Sequence, residues 1–333
     1  SYSGTATLGA DYNAPTTASI GSGVATVTIN LTPIDDEIYE GTETVNASVV
    51  SGTGYNVGAP NSASAMIIDD DYPNGIVLFS DNFETDSSAN WITNSNDGFF
   101  DSAADFAYDY SQLFVPPVPG GSTTKGLRFR LNEQTGAQRN AVSASPLTLN
   151  LPNDYRLKFK AWINYNGPMF DGGAGSTMHL TTGVGTTPDH ANWALYGASD
   201  GIWFDCDGDG GSTFAVGDLS AYVAATLEDD LSGVYSAGTN NNPRSTGNPY
   251  YSLWGNIPAP AAQLANFPSQ TGTSQPGNMG EAWHTFVITK ATNAVALVID
   301  GIPIATVPAD ATPLSTNVFV GFEDLFAGAS GNT

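Results

Sequence analysis

The chain has 333 residues and a formal net charge of −24, with 9 Lys and Arg against 33 Asp and Glu. Such a surface repels phosphate backbones and anionic lipid, which argues against nucleic-acid binding and against a peripheral membrane role without bridging cations. Hydrophobic residues reach 41 %, too many for a disordered acidic chain, while 37 Gly and 20 Pro with only 13 % charged residues indicate a loop-rich, all-β protein. One cysteine, Cys206, excludes an internal disulfide. No run of 18 apolar residues is present, so no direct membrane insertion by a helix is expected. The Lys-poor, polar-neutral surface leans toward a bacterial secreted or cell-surface setting.

Residues 1–72 contain no Lys or Arg and nine acids: Asp11, Asp35, Asp36, Glu37, Glu40, Glu43, Asp69, Asp70 and Asp71. Within them, Val24, Thr26, Thr28 and Asn30 alternate with Ala25, Val27, Ile29 and Leu31, which predicts a strand. Residues 44–50 and 63–68 predict two more, rich in small and β-branched side chains. Residues 51–62 are turn-rich, and DDDYPNG at 69–75 serves as exit and linker. This organisation gives a small β-sandwich over 1–72 and a larger domain over 73–333.

In the larger domain, IVLF at 76–79 is expected to open the fold. Residues 126–131 and 155–163 alternate cleanly; in the second, Tyr155, Leu157, Phe159, Ala161 and Ile163 share the core face and Arg156, Lys158, Lys160 and Trp162 the other. Short strands are expected at 176–182 and 193–196, and a short helix at 219–227. The stretch 225–281 has little periodicity and reads either as a long binding or contact loop or as an ordered insertion stitched by Tyr250, Tyr251 and Trp254. Residues 283–289, 294–300 and 302–307 form a meander with a tight turn at Asp300-Gly301, and 317–322 is the last strand.

The segments GTATLGADYNAP, VATVTINLTPIDDEIYEGTETVNASVV and VGAPNSASAMIIDDD, in that order over residues 4–71, resemble the Calx-beta domain. The resemblance implies an immunoglobulin-like β-sandwich whose end acids hold calcium. By motif, the matching positions are Asp11, Asp35, Asp36, Glu40, Asp69, Asp70 and Asp71, with Glu43 nearby in a strand. The physical chemistry agrees: calcium takes six to eight oxygen ligands, and carboxylates crowded within a few Å repel unless a cation lies among them. The resemblance also implies a strand ahead of the GTA segment. Without that strand, the expectation is that the sandwich is built incomplete, that the strand precedes this segment, or that another chain supplies it, since an unpaired edge invites strand addition.

LFSDNFE (78–84), GIWFDCDGDGG (201–211), WHTFVIT (283–289), VIDGIPIATV (298–307) and VFVGFEDLF (318–326) resemble the laminin-G-like, concanavalin-A-like jelly rolls of secreted bacterial proteins. That resemblance implies a larger jelly-roll β-sandwich with one further strand beyond residue 326. Asp205, Asp207 and Asp209 have the DxDxDG spacing of a calcium loop, although Val216 stands where an EF-hand needs Glu. Cys206 among these acids is expected to be a buried, unreactive thiol.

No segment supplies paired catalytic carboxylates, a nucleophile elbow or a phosphate loop. His179, His190 and His284 have no metal-ligand spacing, and Glu323 and Asp324 face opposite sides of a strand. The expectation is a non-enzymatic structural or adhesive extracellular protein, a calcium-stabilised fibre subunit or a segment of a modular adhesin. It would associate with itself or with other surface proteins. The alternative is a pair of carbohydrate-binding modules, with Trp162, Trp193, Tyr196, Trp203, Tyr250, Tyr251 and Trp254 as stacking candidates for glycans.

Overall fold

The computed structural model describes residues 1–34, 36, 40, 43–67, 76–121, 123–131, 140–164, 178–194, 197–208, 219–229, 232–235, 254–255, 257–267, 274, 277–309 and 314–324. The chain divides into two compact units, Ser1–Val77 and Leu78–Thr333. Both are built from antiparallel sheets, and the one α-helix among the described residues, α1, is Ala261–Asn266.

In the first unit, β1 (Tyr2–Gly4), β4 (Glu43–Ser48) and β5 (Ser62–Ile67) form one sheet in the order β1-β4-β5. A second pair joins β2 (Tyr12–Asn13) to β3 (Thr32–Pro33). The core is small: Ala6, Tyr12 and Val45 are buried, with Tyr2, Ala14, Leu31 and Ile67 packed around them. Tyr2 meets Tyr12 edge-on at 5.8 Å. Gly4 has φ +133°, and a side chain there would strike the Thr44 carbonyl, so β1 can approach β4 only through glycine.

The strand expected over residues 24–31 does not form. Val24 N–H instead donates to Gly21 O across a local turn, and Val24, Val27 and Ile29 are exposed. Alternation tells which side chains would share a face, but a strand also needs a neighbour for its N–H and C=O groups. No described strand pairs with this segment.

The second unit is a two-layer sandwich. One layer has seven strands in the order β14-β13-β12-β11-β18-β9-β6. These are β6 (Trp91–Ser95), β9 (Asn140–Pro146), β11 (Met178–Thr186), β12 (Ile202–Asp207), β13 (Leu219–Val223), β14 (Thr226–Leu227) and β18 (Asn317–Asp324). The other layer has β10 (Tyr155–Trp162), β15 (Trp283–Ala291), β16 (Ala294–Ile299) and β17 (Ile302–Pro308), paired in that order.

The main core lies between the layers. Leu180, Val184, Ile202, Phe204, Cys206, Leu219 and Val318 come from the seven-stranded sheet, and Phe286, Ile288, Val295, Leu297 and Ile299 from the other. Phe159 stacks on Phe286 across β10 and β15 at 5.2 Å. A hairpin of β7 (Ser102–Asp109) and β8 (Lys125–Leu131) is fastened by charge: Arg128 and Arg130 both bind Asp105, at 2.6 and 2.8 Å, and Arg128 also lies 3.5 Å over the Tyr108 ring.

Three further expectations differ. Residues 219–227 form β13 and β14, not a helix. Leu219, Ala221 and Val223 take the core face with period two, and Ala224 at φ 50° turns the chain into β14. Trp193 and Ala194 lie in a loop, because Ser199 Oγ donates to Trp193 O and accepts from Trp193 N–H. IVLF at 76–79 opens no strand, and Ile76 and Val77 are exposed. The Asp300-Gly301 turn forms as expected, with φ 50° and 76°.

Gly183 of β11 sits opposite Trp203 of β12, and a Cβ there would fall 2.5 Å from Trp203 Cβ. Gly183→Ala is therefore expected to destabilise the protein by about 1–3 kcal/mol, read as a lowered urea midpoint. An unchanged midpoint would show that the sheet yields at this point without cost.

Candidate functional site

The seven-stranded sheet buries both its faces, and the second face is polar at one end. Antiparallel register places His179 of β11 opposite Asp207 of β12 and opposite Glu323 of β18. Two residues along, Thr181 lies opposite Asp205 and Gly321. Gly321 in turn faces Ser143 of β9, and Asp205 faces Ser220 of β13. Because side chains alternate, all of these share the face away from the main core. At the other end of that face, Trp203, Tyr222 and Phe319 form an aromatic cluster, with Trp203 and Tyr222 stacked at 4.1 Å.

Asp205, Asp207 and Glu323 are 0 % exposed and His179 is 1 %. His179 Nδ1 lies 2.5 Å from Asp205 Oδ1, as an ion pair. Ala194 N–H donates to Glu323 Oε2 at 2.8 Å, so the loop between β11 and β12 reaches this face. One nitrogen of His179 and one carboxylate oxygen each from Asp205 and Glu323 lie within 4.8 Å of one another.

Burial pushes the His179 pKa down, but the charge and hydrogen bond of Asp205, with the charges of Asp207 and Glu323, outweigh it and hold the imidazole well above its usual value. Glu323 is pushed well above the usual carboxylate range by burial first and the Asp205 charge second, against the opposing pull of His179 and the Ala194 N–H. The group therefore holds His179 as a cation beside Asp205 while favouring a protonated Glu323. Behind this face, the thiol of Cys206 is raised by burial and by its two acidic neighbours, as an inert core residue should be.

The other histidines are also paired with carboxylates. His284 Nδ1 lies 2.6 Å from Asp300 Oδ2, and Asp300 also accepts from Thr285 N–H at 2.7 Å and Trp254 Nε1–H at 3.1 Å. His190 contacts Asp189 at 2.6 Å in a loop that Asp200 closes through Thr187 and Asn192.

In the first unit, carboxylate oxygens of Asp11, Glu40 and Glu43 converge within 4.8 Å of one another. Asp11 is buried and accepts from Thr7 N–H at 2.5 Å; Glu40 is exposed and Glu43 half-buried at the start of β4. Lost hydration, then the charge of and a hydrogen bond to Asp11, then Glu43 and Asp36, raise the Glu40 pKa. The direction is that of like charges crowded together.

Of the acids proposed from sequence as metal ligands, Asp11 and Glu40 come together, and Asp36 contributes its charge to them. Asp35, Asp69, Asp70, Asp71 and Asp209 lie outside the described residues. Asp205 and Asp207 do not lie in a loop: both belong to β12 and project into the polar sheet face. Sequence reasoning missed His179 and Glu323 as their companions, and gave Glu43 no ligand role. The available signal was period-two placement of ionisable residues in otherwise apolar strands; which strands adjoin is not local information.

Among the aromatic candidates, Trp203 and Trp254 are buried and Trp193 is half-buried, while Tyr196, Tyr250 and Tyr251 lie outside the described residues. Trp162 is half-buried and packs against Trp283, its cross-strand partner, at 6.0 Å.

No family model matches the chain, and comparison with characterised proteins gave no match. Among solved structures, the crystal structure of the Emp47p carbohydrate recognition domain is similar at a TM-score of 0.34 and 10 % identity, over 72 % of this chain and 83 % of that one. A likeness at that level carries no argument about function. The Calx-beta and laminin-G-like resemblances rest on the sequence motifs.

His179 and Glu323 both hold their proton more tightly folded than unfolded. Each contribution is complete below the unfolded pKa, about 6.5 for His and 4.3 for Glu, and is lost as pH rises through the folded value. Thermal melts from about pH 5 to about pH 9 are expected to show falling stability, and Glu323→Gln a shallower fall. Parallel pH profiles for the two proteins would remove Glu323 from the explanation.

Proposed function

We propose that this chain is a non-enzymatic structural or adhesive protein of the cell surface or extracellular space, whose N-terminal unit is stabilised by calcium. The observation that carries the reading is the convergence of Asp11, Glu40 and Glu43 in a region, 1–72, that contains no Lys or Arg. Three carboxylates in that arrangement repel, and a hard dication is the species that relieves them. Asp36 lies near enough to add charge. Calcium is favoured over a softer metal because every donor is oxygen.

Self-association is supported by strand β5. Among the described residues it is an edge of its sheet, five of its six residues are exposed, and Met66 is 70 % exposed. A row of unpaired backbone donors and acceptors beside an exposed apolar side chain is a template for a strand from a second chain. No helix among the described residues is long and apolar enough to cross a membrane.

A glycan-binding reading draws on one feature, the half-buried Trp162 and Trp283 pair. Trp162 Nε1–H reaches Asn164 Oδ1, so ring faces and polar groups lie side by side as sugar recognition requires. Of the other described aromatic candidates, Trp203 and Trp254 are buried and Trp193 is half-buried, which makes this the second reading.

Thermal denaturation in calcium and after chelation, with light scattering of each sample, tests the proposal. Calcium at about 100-fold over its Kd is expected to stabilise the protein by about 2.7 kcal/mol, and Glu40→Gln to abolish most of that gain. Met66→Lys is expected to reduce assembly without changing the calcium response. If calcium alters neither melting nor size, the acids are solvated surface charge and a glycan screen becomes the leading experiment.

A further inference from the structure

We infer that the polar face of the seven-stranded sheet is a binding site for one divalent transition-metal ion, with His179, Asp205 and Glu323 as its protein ligands. The site lies in the second unit and takes a different class of ion, so it stands independently of the calcium reading.

The geometry is set by backbone pairing. The three residues come from β11, β12 and β18, which are neighbours in the sheet, and β11 lies between the other two. Their donor atoms lie within 4.8 Å of one another. In a tetrahedral site, ligands about 2.0–2.2 Å from the ion are roughly 3.3–3.6 Å apart. His179 Nδ1 and Asp205 Oδ1, at 2.5 Å, need to open by about 1 Å to admit the ion.

A second observation is independent of the three ligands. Thr181 Oγ1 and Ser143 Oγ are buried on the same face and have no hydrogen-bond partner. They flank Gly321, where a Cβ would fall 2.7 Å from Thr181 Oγ1 and 3.2 Å from Ser143 Cβ. Gly321 therefore packs closely between its neighbouring strands, and the two hydroxyls beside it have no hydrogen-bond partner among the described residues. A buried hydroxyl left without a partner costs about 1–3 kcal/mol. An ion with a bound water on this face offers a partner to such hydroxyls.

The donor set points to the class of ion. One imidazole nitrogen with two carboxylates suits zinc, manganese or cobalt, whereas calcium takes six to eight oxygens. Coordination needs neutral imidazole and ionised carboxylates, so metal uptake depends on pH and releases whatever protons these groups carry. With the ligands closed from solvent, loading is expected as the sheet forms.

The test uses the full chain, unfolded in chelator and refolded with Zn2+ or Co2+, each with and without excess calcium. After gel filtration, bound metal is measured by elemental analysis, and Co2+ ligation by its visible absorption. The expected result is one equivalent of either metal, undiminished by calcium, with a raised melting temperature. Glu323→Gln and His179→Gln are each expected to lose at least ten-fold in affinity. Asp11→Asn with Glu40→Gln is expected to retain full binding, which separates this site from the calcium reading. Retention of less than a tenth of an equivalent by the refolded wild type overturns the proposal. So does equal retention by folded Glu323→Gln, with folding checked by circular dichroism. If neither ligand variant folds, the wild-type Co2+ spectrum decides: d–d bands of an inner-sphere nitrogen and oxygen site support the assignment, and the spectrum of the hydrated ion overturns it.

Discussion

An ion pair between neighbouring strands, His179 with Asp205, sits where no water reaches, and the seven-stranded sheet is organised around that constraint. A lone buried charge costs several kcal/mol, and breaking such a pair by removing one partner costs about 3–5 kcal/mol. The face therefore needs His179 and Asp205 side by side, with Glu323 drawn toward its neutral form. The opposite face of the same strands is Leu180, Phe204, Cys206 and Phe322, packed in the sandwich core. A one-residue slip of β12 would send Asp205 and Asp207 into that core and bring Phe204 and Cys206 out. Charge on one face and apolar packing on the other thus specify the register twice over.

The two units use acidity in opposite ways. The second takes carboxylates inside the sheet and balances them with histidine, or at the hairpin with Arg128 and Arg130 on Asp105. Among its described residues the first has three buried apolar side chains in its core, and it gathers acids in a region that offers no basic partner. So small a core leaves little stability in reserve, and crowded carboxylates subtract from it. A cation there would act on the unit least able to do without it.

Much of the second unit was legible in the sequence because its strands alternate strictly. Residues 155–163 and the meander from Trp283 to Pro308 carry period-two patterns, and the Asp300-Gly301 turn announces itself chemically. Residues 219–227 misled because Leu, Ala and Tyr suit helix and strand alike, and pairing with β12 decided between them. Residues 24–31 misled in the other direction: alternation was present, but a pairing strand was not. The polar face was half legible. The Asp205 and Asp207 spacing drew attention as a loop motif, yet its meaning depends on β11 and β18, which lie 26 residues before and more than 100 after. Non-local pairing of this kind leaves no mark in a sequence window.

The stacked Trp203 and Tyr222 give the molecule an optical consequence. Their rings lie 4.1 Å apart and 7° from parallel, sealed against the aromatic end of the polar sheet face. Two chromophores so close and so rigidly oriented couple electronically, and light absorbed by the tyrosine passes to the indole. Trp203 also has a fixed hydrogen bond, from Nε1–H to Ala224 O at 2.8 Å, which holds its transition dipole in the frame of the sheet. The near-ultraviolet dichroism of this pair therefore reports the pairing of β12 with β13 directly. The protein carries, in its own side chains, a probe of the sheet that holds His179, Asp205 and Glu323.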